Sequence, residues 1–235
     1  MAQRRKNSRN TGRMNRRRRR AQLRRRLLMA AVLCILGAVF IPFIRKKLFT
    51  DSQNQIDIQT DLTVSQWEGA PPIQVELLTP NSYSRPQIAL EQVNGIVIHY
   101  TGNPGSTAQQ NRDYFENLKD TKTTKASSHF IIGLDGEVIQ CIPSSEWAYT
   151  SNERNKDTLS IECCHPDETG QFNAATYQSL VELTGWLCKR FGLTSEDVIR
   201  HYDVTGKECP KYFVDHEDAW EQFRSDVQNY EDSLS

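Results

Sequence analysis

The first 47 residues contain no aspartate or glutamate, and residues 1–26 contain no aromatic side chain. An arm this polar cannot bury enough apolar surface to fold alone. Its 13 Lys+Arg suit phosphate groups, but without aromatics it has no platform on which bases could stack. Nucleic acid is therefore not expected as a partner, and the arm reads as a topology signal for the segment that follows. Cysteine is also sparse. Of the six cysteines (Cys34, Cys141, Cys163, Cys164, Cys188 and Cys209), Cys34 lies in an apolar run and Cys209 is a candidate metal ligand, and the remaining four are too few and too irregularly placed for a disulfide scaffold. Buried free thiols are expected, with Cys188 on the apolar face of a helix. A bridge from Cys141 to Cys163 or Cys164 stays open between neighbouring strands, since bridging needs Cα atoms within about 7 Å. No internal repeat is present.

The formal net charge of +0 hides a strong asymmetry. Residues 1–47 hold 16 of the 29 Lys+Arg, so the remainder has 29 − 16 = 13 basic against 29 acidic residues, a net of 13 − 29 = −16. Such a split separates a basic arm from an acidic folded part.

Leu27 to Ile44 is an uncharged apolar run of 18 residues. As a helix it spans roughly 27 Å, enough for a thin bilayer core. Thirteen Lys+Arg precede it and three follow, Arg45 to Lys47, which places the N-terminus in the cytoplasm and the rest of the chain outside it. A cleaved signal peptide is the rival, but no A-x-A-type site follows the run, which favours an uncleaved anchor. The expected organisation is a cytoplasmic arm (1–26), a transmembrane anchor (27–44), a linker (45–72), a globular domain (73–230) and a short tail (231–235). The linker is polar and ends near Pro71-Pro72.

Residues 73–92 read as a lead-in wrapped on the domain. Val93 to Tyr100 reads as a buried strand. Ser106 or Thr107 can cap a helix to about Leu118, with Tyr114, Phe115 and Leu118 inward. Two strands, His129–Leu134 and Glu137–Ile142, flank the hairpin signal Asp135-Gly136. Asp157–Cys164 is a further strand. Asn173 caps a helix with an apolar stripe through Tyr177, Leu180, Val181, Thr184, Leu187, Cys188 and Phe191, stopped by Gly192. Val198–Val204 reads as a short strand carrying His201, and Asp215 as the cap of a last helix through Trp220, Phe223 and Val227. The alternation predicts an α/β (α+β-like) domain, a central mixed sheet flanked by helices, preceded by the single transmembrane helix.

The chemistry concentrates in Arg200 to Pro210, RHYDVTGKECP. His201 and Cys209 are ligand types that suit Zn²⁺, and His99 ends an apolar strand as a third candidate. Two neutral imidazoles and a thiolate leave about +1 on the centre and one open position, where water could ionise near neutral pH. A catalytic Cys209 with His201 as its base is the competing reading, but it leaves His99 without a role. Glu162, on a mostly apolar strand, is a candidate general base; on position alone it reads as a solvent-facing strand-edge carboxylate. Lys207 lies two residues before Cys209, so an extended segment points both to one side. There it could stabilise an oxyanion, although a free surface lysine is the common case.

Four blocks, IVIHYTGNPG (96–105), SHFIIGLD (128–135), SIEC (160–163) and VIRHYDVTGKECP (198–210), resemble the zinc-dependent N-acetylmuramoyl-L-alanine amidases of type 2. That family shares its fold with peptidoglycan recognition proteins and phage T7 lysozyme. The resemblance covers about residues 85 to 225. It implies hydrolysis of the amide between N-acetylmuramic acid and the L-alanine of the stem peptide, by zinc-activated water. It also implies that His99, His201 and Cys209 bind zinc, that Glu162 is the acid–base residue and that Lys207 stabilises the transition state. The chain departs from some members at Ser128, where they carry a tyrosine, and at Trp147-Ala148, where many have Trp-His. Peptidoglycan or a muropeptide is the implied substrate and the membrane the implied anchor. His129 reads as structural or supporting, and His165 and His216 have no assigned role. The alternative is a muropeptide-binding module of the same fold without activity; such proteins tend to have lost a zinc ligand, and this sequence keeps all three candidates.

Overall fold

The structure, a computed structural model, describes residues 69–234, which fall within one compact unit, Trp67–Ser235. The arm and the expected anchor at 27–44 lie outside the described residues. Among the described residues no helix is long and apolar enough to cross a membrane.

Six strands form one mixed sheet: β1 (Ile73–Val75), β2 (Ile96–Tyr100), β3 (Phe130–Ile132), β4 (Val138–Gln140), β5 (Leu159–Cys163) and β6 (Val198–Arg200), in the order β1-β4-β3-β5-β2-β6. Only the hairpin β3–β4 is antiparallel; the other four pairings are parallel. Parallel strands need both faces covered, and alternation along each strand divides the core accordingly. Ile96, Ile98, Phe130, Ile132 and Ile161 join the larger cluster, while Ile131, Ile139 and Cys164 join the smaller one on the opposite face. Glu162 falls between Ile161 and Cys163 of the larger cluster, so its side chain leaves on the other face.

Helix α1 (Ala108–Thr121) covers the smaller cluster with Phe115 and Leu118. It starts as expected: Thr107 Oγ1 accepts the Gln110 N–H at 3.1 Å, and Gln110 Oε1 accepts the Thr107 N–H at 2.9 Å, a capping box. Tyr114, expected inward, is half exposed instead, because it lies off the Phe115–Leu118 stripe.

Helix α2 (Ala174–Phe191) covers the larger cluster, capped by Asn173 and ended by Gly192 in the left-handed conformation, φ 66°. Its buried surface is wider than the expected stripe, with Leu183 and Trp186 also buried, since it packs against both the sheet and helix α5 (Glu217–Ser233). The close approach of these two helices needs Gly185. A Cβ there would lie 2.8 Å from Tyr230 Cδ1 and 3.1 Å from the Val227 carbonyl oxygen.

Three sequence expectations shift near the termini of elements. The lead-in contributes β1, an edge strand, and is tied down by Arg85, whose Nη2 lies 2.7 Å from Glu146 Oε1. Asp215 does not cap the last helix: it ends the short α4 (Lys211–Asp215), where Lys211 pairs with it, and His216 takes the cap position of α5. His201 is not on a strand, because β6 stops at Arg200 and His201 opens the short helix α3 (His201–Thr205). The five described cysteines are free and buried, so Cys141 bridges neither Cys163 nor Cys164; Cys163 lies in the other core cluster, and Cys164 shares the smaller cluster with Cys141 as a free thiol.

Candidate metal centre

Three side chains converge at one point: His99 from the end of β2, and His201 and Cys209 from the segment that follows β6. His99, His201 and Cys209 are all buried, and their ligand atoms lie within 4.8 Å of one another. His99 Nδ1 is 3.8 Å from Cys209 Sγ, and the two imidazole rings sit 4.6 Å apart, tilted by 57°. Tetrahedral zinc with bonds of about 2.0 Å to nitrogen and 2.3 Å to sulfur needs an N–S separation of about 3.5 Å. His201 Nδ1 is buried with no hydrogen-bond partner. Buried polar atoms are ordinarily satisfied, and a cation held by this donor set accounts for the orphan. The residues fit a zinc ion.

Local chain geometry explains the convergence. Asp203 Oδ2 accepts the Arg200 N–H at 2.8 Å while the Arg200 guanidinium pairs with the same carboxylate. This closes the first turn of α3 immediately after β6 and turns His201 into the site. Gly206, at φ 76°, ends α3, and the Tyr202 N–H donates to the Cys209 carbonyl at 2.9 Å. The segment Lys207–Cys209 is not extended, as the sequence suggested. The Cys209 N–H donates to the Lys207 carbonyl at 2.7 Å, a tight turn. Lys207 nevertheless lines the same cleft as Cys209.

That cleft has a volume of about 410 Å³ and is bordered by the three candidate ligands, Glu162, Lys207, Tyr149, Asn155 and Lys125 among others. All five site residues expected from sequence therefore meet at one cavity. Burial, with the positive charge that His201 and Lys207 would add, holds His99 well below its usual range; burial and then Lys207 lower His201. Both imidazoles are thus neutral at neutral pH, the form that ligates. Burial pushes the Cys209 thiol up to about 12. An activated nucleophilic cysteine needs the opposite shift, so the cysteine-hydrolase reading loses its support; a bound cation would deprotonate the thiol. Burial raises Glu162 to about 8, with Lys207 pulling the other way, and its Oε2 has no hydrogen-bond partner among the described residues.

Sequence reasoning missed Ser151, whose Oγ lies 3.2 Å from His99 Nε2. Fifty-two residues separate the pair in the chain, and no spacing signal links them. His129 is a supporting residue, as expected. Its Nδ1 accepts the Ser160 N–H at 3.1 Å, and its Nε2 lies 2.8 Å from the Glu146 carbonyl. Ser128 is buried, and its hydroxyl donates to the Phe130 carbonyl at 2.9 Å, away from the cleft. Ala148 is buried in the smaller core cluster, and Trp147 borders a separate surface cavity beside Ile88 and Lys156. His165 is buried against Tyr100, whereas His216 is exposed, with Nδ1 3.0 Å from the Tyr212 carbonyl.

The Amidase_2 family model, described as N-acetylmuramoyl-L-alanine amidase, matches residues 89–212, and the chain belongs to this family. Among curated relatives, the amidase CwlL of Bacillus licheniformis is 36% identical over 160 residues, and BlyA of Bacillus subtilis is 31% identical over 168. Each match covers 63% of this chain and 44% of the relative, so the chain spans less than half the length of these proteins. The structure of PlyL superposes with a TM-score of 0.60 at 22% identity, over 68% of this chain and 99% of that one. The catalytic domain of XlyA gives 0.56 at 23%, over 67% and 99%. These structural likenesses are ones of fold.

Proposed function

We propose that the protein is a zinc-dependent peptidoglycan amidase that hydrolyses the amide between N-acetylmuramic acid and the L-alanine of the stem peptide. The observation that carries this reading is the convergence of His99, His201 and Cys209 at the end of a cleft that also contains Glu162 and Lys207. Family membership supplies the substrate class.

His99, His201 and Cys209 would hold the ion. Zinc bound there supplies a Lewis acid for the scissile carbonyl and brings the pKa of water down towards about 7. Glu162 takes the proton of the attacking water and returns it to the leaving alanine nitrogen; burial raises its pKa to about 8, and the positive charge of a cation held beside it would favour the ionised form that the first transfer needs. Lys207 faces the same cleft and offsets the negative charge that grows on the carbonyl oxygen. Metal analysis of the full-length protein tests this directly. One zinc per chain is expected; a chain that binds none would turn the reading into the muropeptide-binding module.

For location, the reading is a single-pass membrane protein with its N-terminus in the cytoplasm, held by residues 27–44, and a catalytic domain outside the cytoplasm. The support is the uncharged run of 18 residues and the excess of Lys+Arg before it. Fractionation checks it. The protein should partition with membranes and its domain should be open to protease added outside; recovery in the soluble fraction would refute the anchor.

A further inference from the structure

We infer that Ser151 is the positioning residue that selects the metal-binding tautomer of His99. The inference rests on the metal reading above and extends it to a residue outside the ligand set.

A neutral imidazole carries one N–H, and the nitrogen without it is the one that ligates. In His99 the two nitrogens face different neighbours. Nδ1 faces the other candidate ligands, 3.8 Å from Cys209 Sγ. Nε2 faces Ser151 Oγ at 3.2 Å, and both residues are almost wholly buried. With Nδ1 on a cation, the proton must sit on Nε2, in a place closed to solvent, and Ser151 Oγ is its hydrogen-bond partner there. The hydroxyl accepts, so the loaded state is satisfied on both sides of the ring. Outer partners of this kind fix ring orientation and tautomer, and losing one commonly weakens metal binding 10- to 100-fold.

The serine is itself held in place. Asn155 Oδ1 accepts the N–H of Thr150 at 3.0 Å and the N–H of Ser151 at 2.6 Å. Thr150 Oγ1 reaches Ser160 Oγ at 3.0 Å and also donates to the Ser127 carbonyl. Ser160 is two residues before Glu162 on β5, the strand beside the one carrying His99. The loop that presents Ser151 is thus pinned to the strand that presents the carboxylate.

The test is zinc affinity, measured on the full-length protein by competition with a chromophoric chelator, for wild type, Ser151→Ala and Ser151→Thr. Removing the hydroxyl leaves an unpaired N–H only when Nδ1 is on the metal, because the metal-free ring can place its proton on the other nitrogen. Ser151→Ala should therefore raise the zinc dissociation constant by roughly 10- to 100-fold while the metal-free protein unfolds at the wild-type temperature. Ser151→Thr, which keeps the oxygen, should restore affinity to within a few-fold. If Ser151→Ala fails to fold, Asn155→Ala serves as the second variant and should weaken zinc in the same sense by freeing the loop. Wild-type affinity in the alanine variant, or equal weakness in the alanine and threonine variants, overturns the assignment. Failure of the wild type itself to bind zinc would instead overturn the metal reading, so the two failures are distinct.

Discussion

His99 and Glu162 are register partners across the parallel pair β2–β5. Neighbouring strands lie about 4.8 Å apart, so a candidate ligand and a candidate base stand side by side on rigid backbone. Neither is carried by a loop. Sites built this way hold their geometry without a ligand-induced rearrangement, and their two functions should separate cleanly on mutation.

Glu162→Gln should leave zinc content at the wild-type level and lower the turnover of a muropeptide by about 10²- to 10⁴-fold, the usual worth of a positioned acid–base group. Steady-state kinetics with metal analysis on the same sample checks both halves. Full activity with zinc bound would remove Glu162 from the mechanism.

Lys207→Met keeps an unbranched side chain one atom shorter and removes its charge. Turnover should fall by roughly 10²- to 10³-fold, as for loss of one oxyanion-stabilising group, with little change in KM. A change confined to KM would make Lys207 a substrate-binding residue.

His129 predicts an acid limit on stability. Burial lowers its pKa from 6.5 to about 4 in the folded protein, and its Nδ1 is occupied as an acceptor of the Ser160 N–H. The unfolded chain therefore binds the proton first as pH falls. Stability is full above about 6.5 and is lost progressively as pH drops through about 4, by up to about 3 kcal/mol from this group. Urea unfolding at pH 7 and pH 4.5 measures the loss. His129→Gln should show a shallower dependence, and an unchanged slope would sink the attribution.

Gly185→Ala pits helix propensity against packing. Alanine gains about 1 kcal/mol in a helix interior, but its Cβ would sit 3.1 Å from the Val227 carbonyl oxygen and 3.3 Å from the Glu231 nitrogen, both backbone. Backbone cannot swing aside as a side chain can, so overpacking, typically 1–3 kcal/mol, should win. A lower urea midpoint is expected, whereas a higher one would mean that α5 yields.

Much of this was legible in the sequence, for identifiable reasons. Thr107 and Asn173 announce their helices because a side-chain oxygen within three residues of the first free N–H is a local event. The strands read well because a short apolar, β-branched run bounded by turn residues marks a strand buried on both faces. What failed was local competition. Val198 to Val204 has the composition of a strand, yet the Asp203 carboxylate captures the Arg200 N–H and starts a helix at His201. Lys207 and Cys209 were expected on one side of an extended segment; a tight turn brings Lys207 to the cleft by another route. Ser151 could not be found at all, because its relation to His99 exists only once distant segments have packed.

Mass analysis of peptidoglycan digested with the zinc-loaded full-length protein, with and without a chelator, decides whether the protein is a zinc-dependent amidase. Free stem peptides whose amino terminus is alanine should appear, vanish when zinc is removed and return when it is restored. Intact muropeptides in every condition, or alanine-terminated peptides released equally in the presence of the chelator, would contradict that activity.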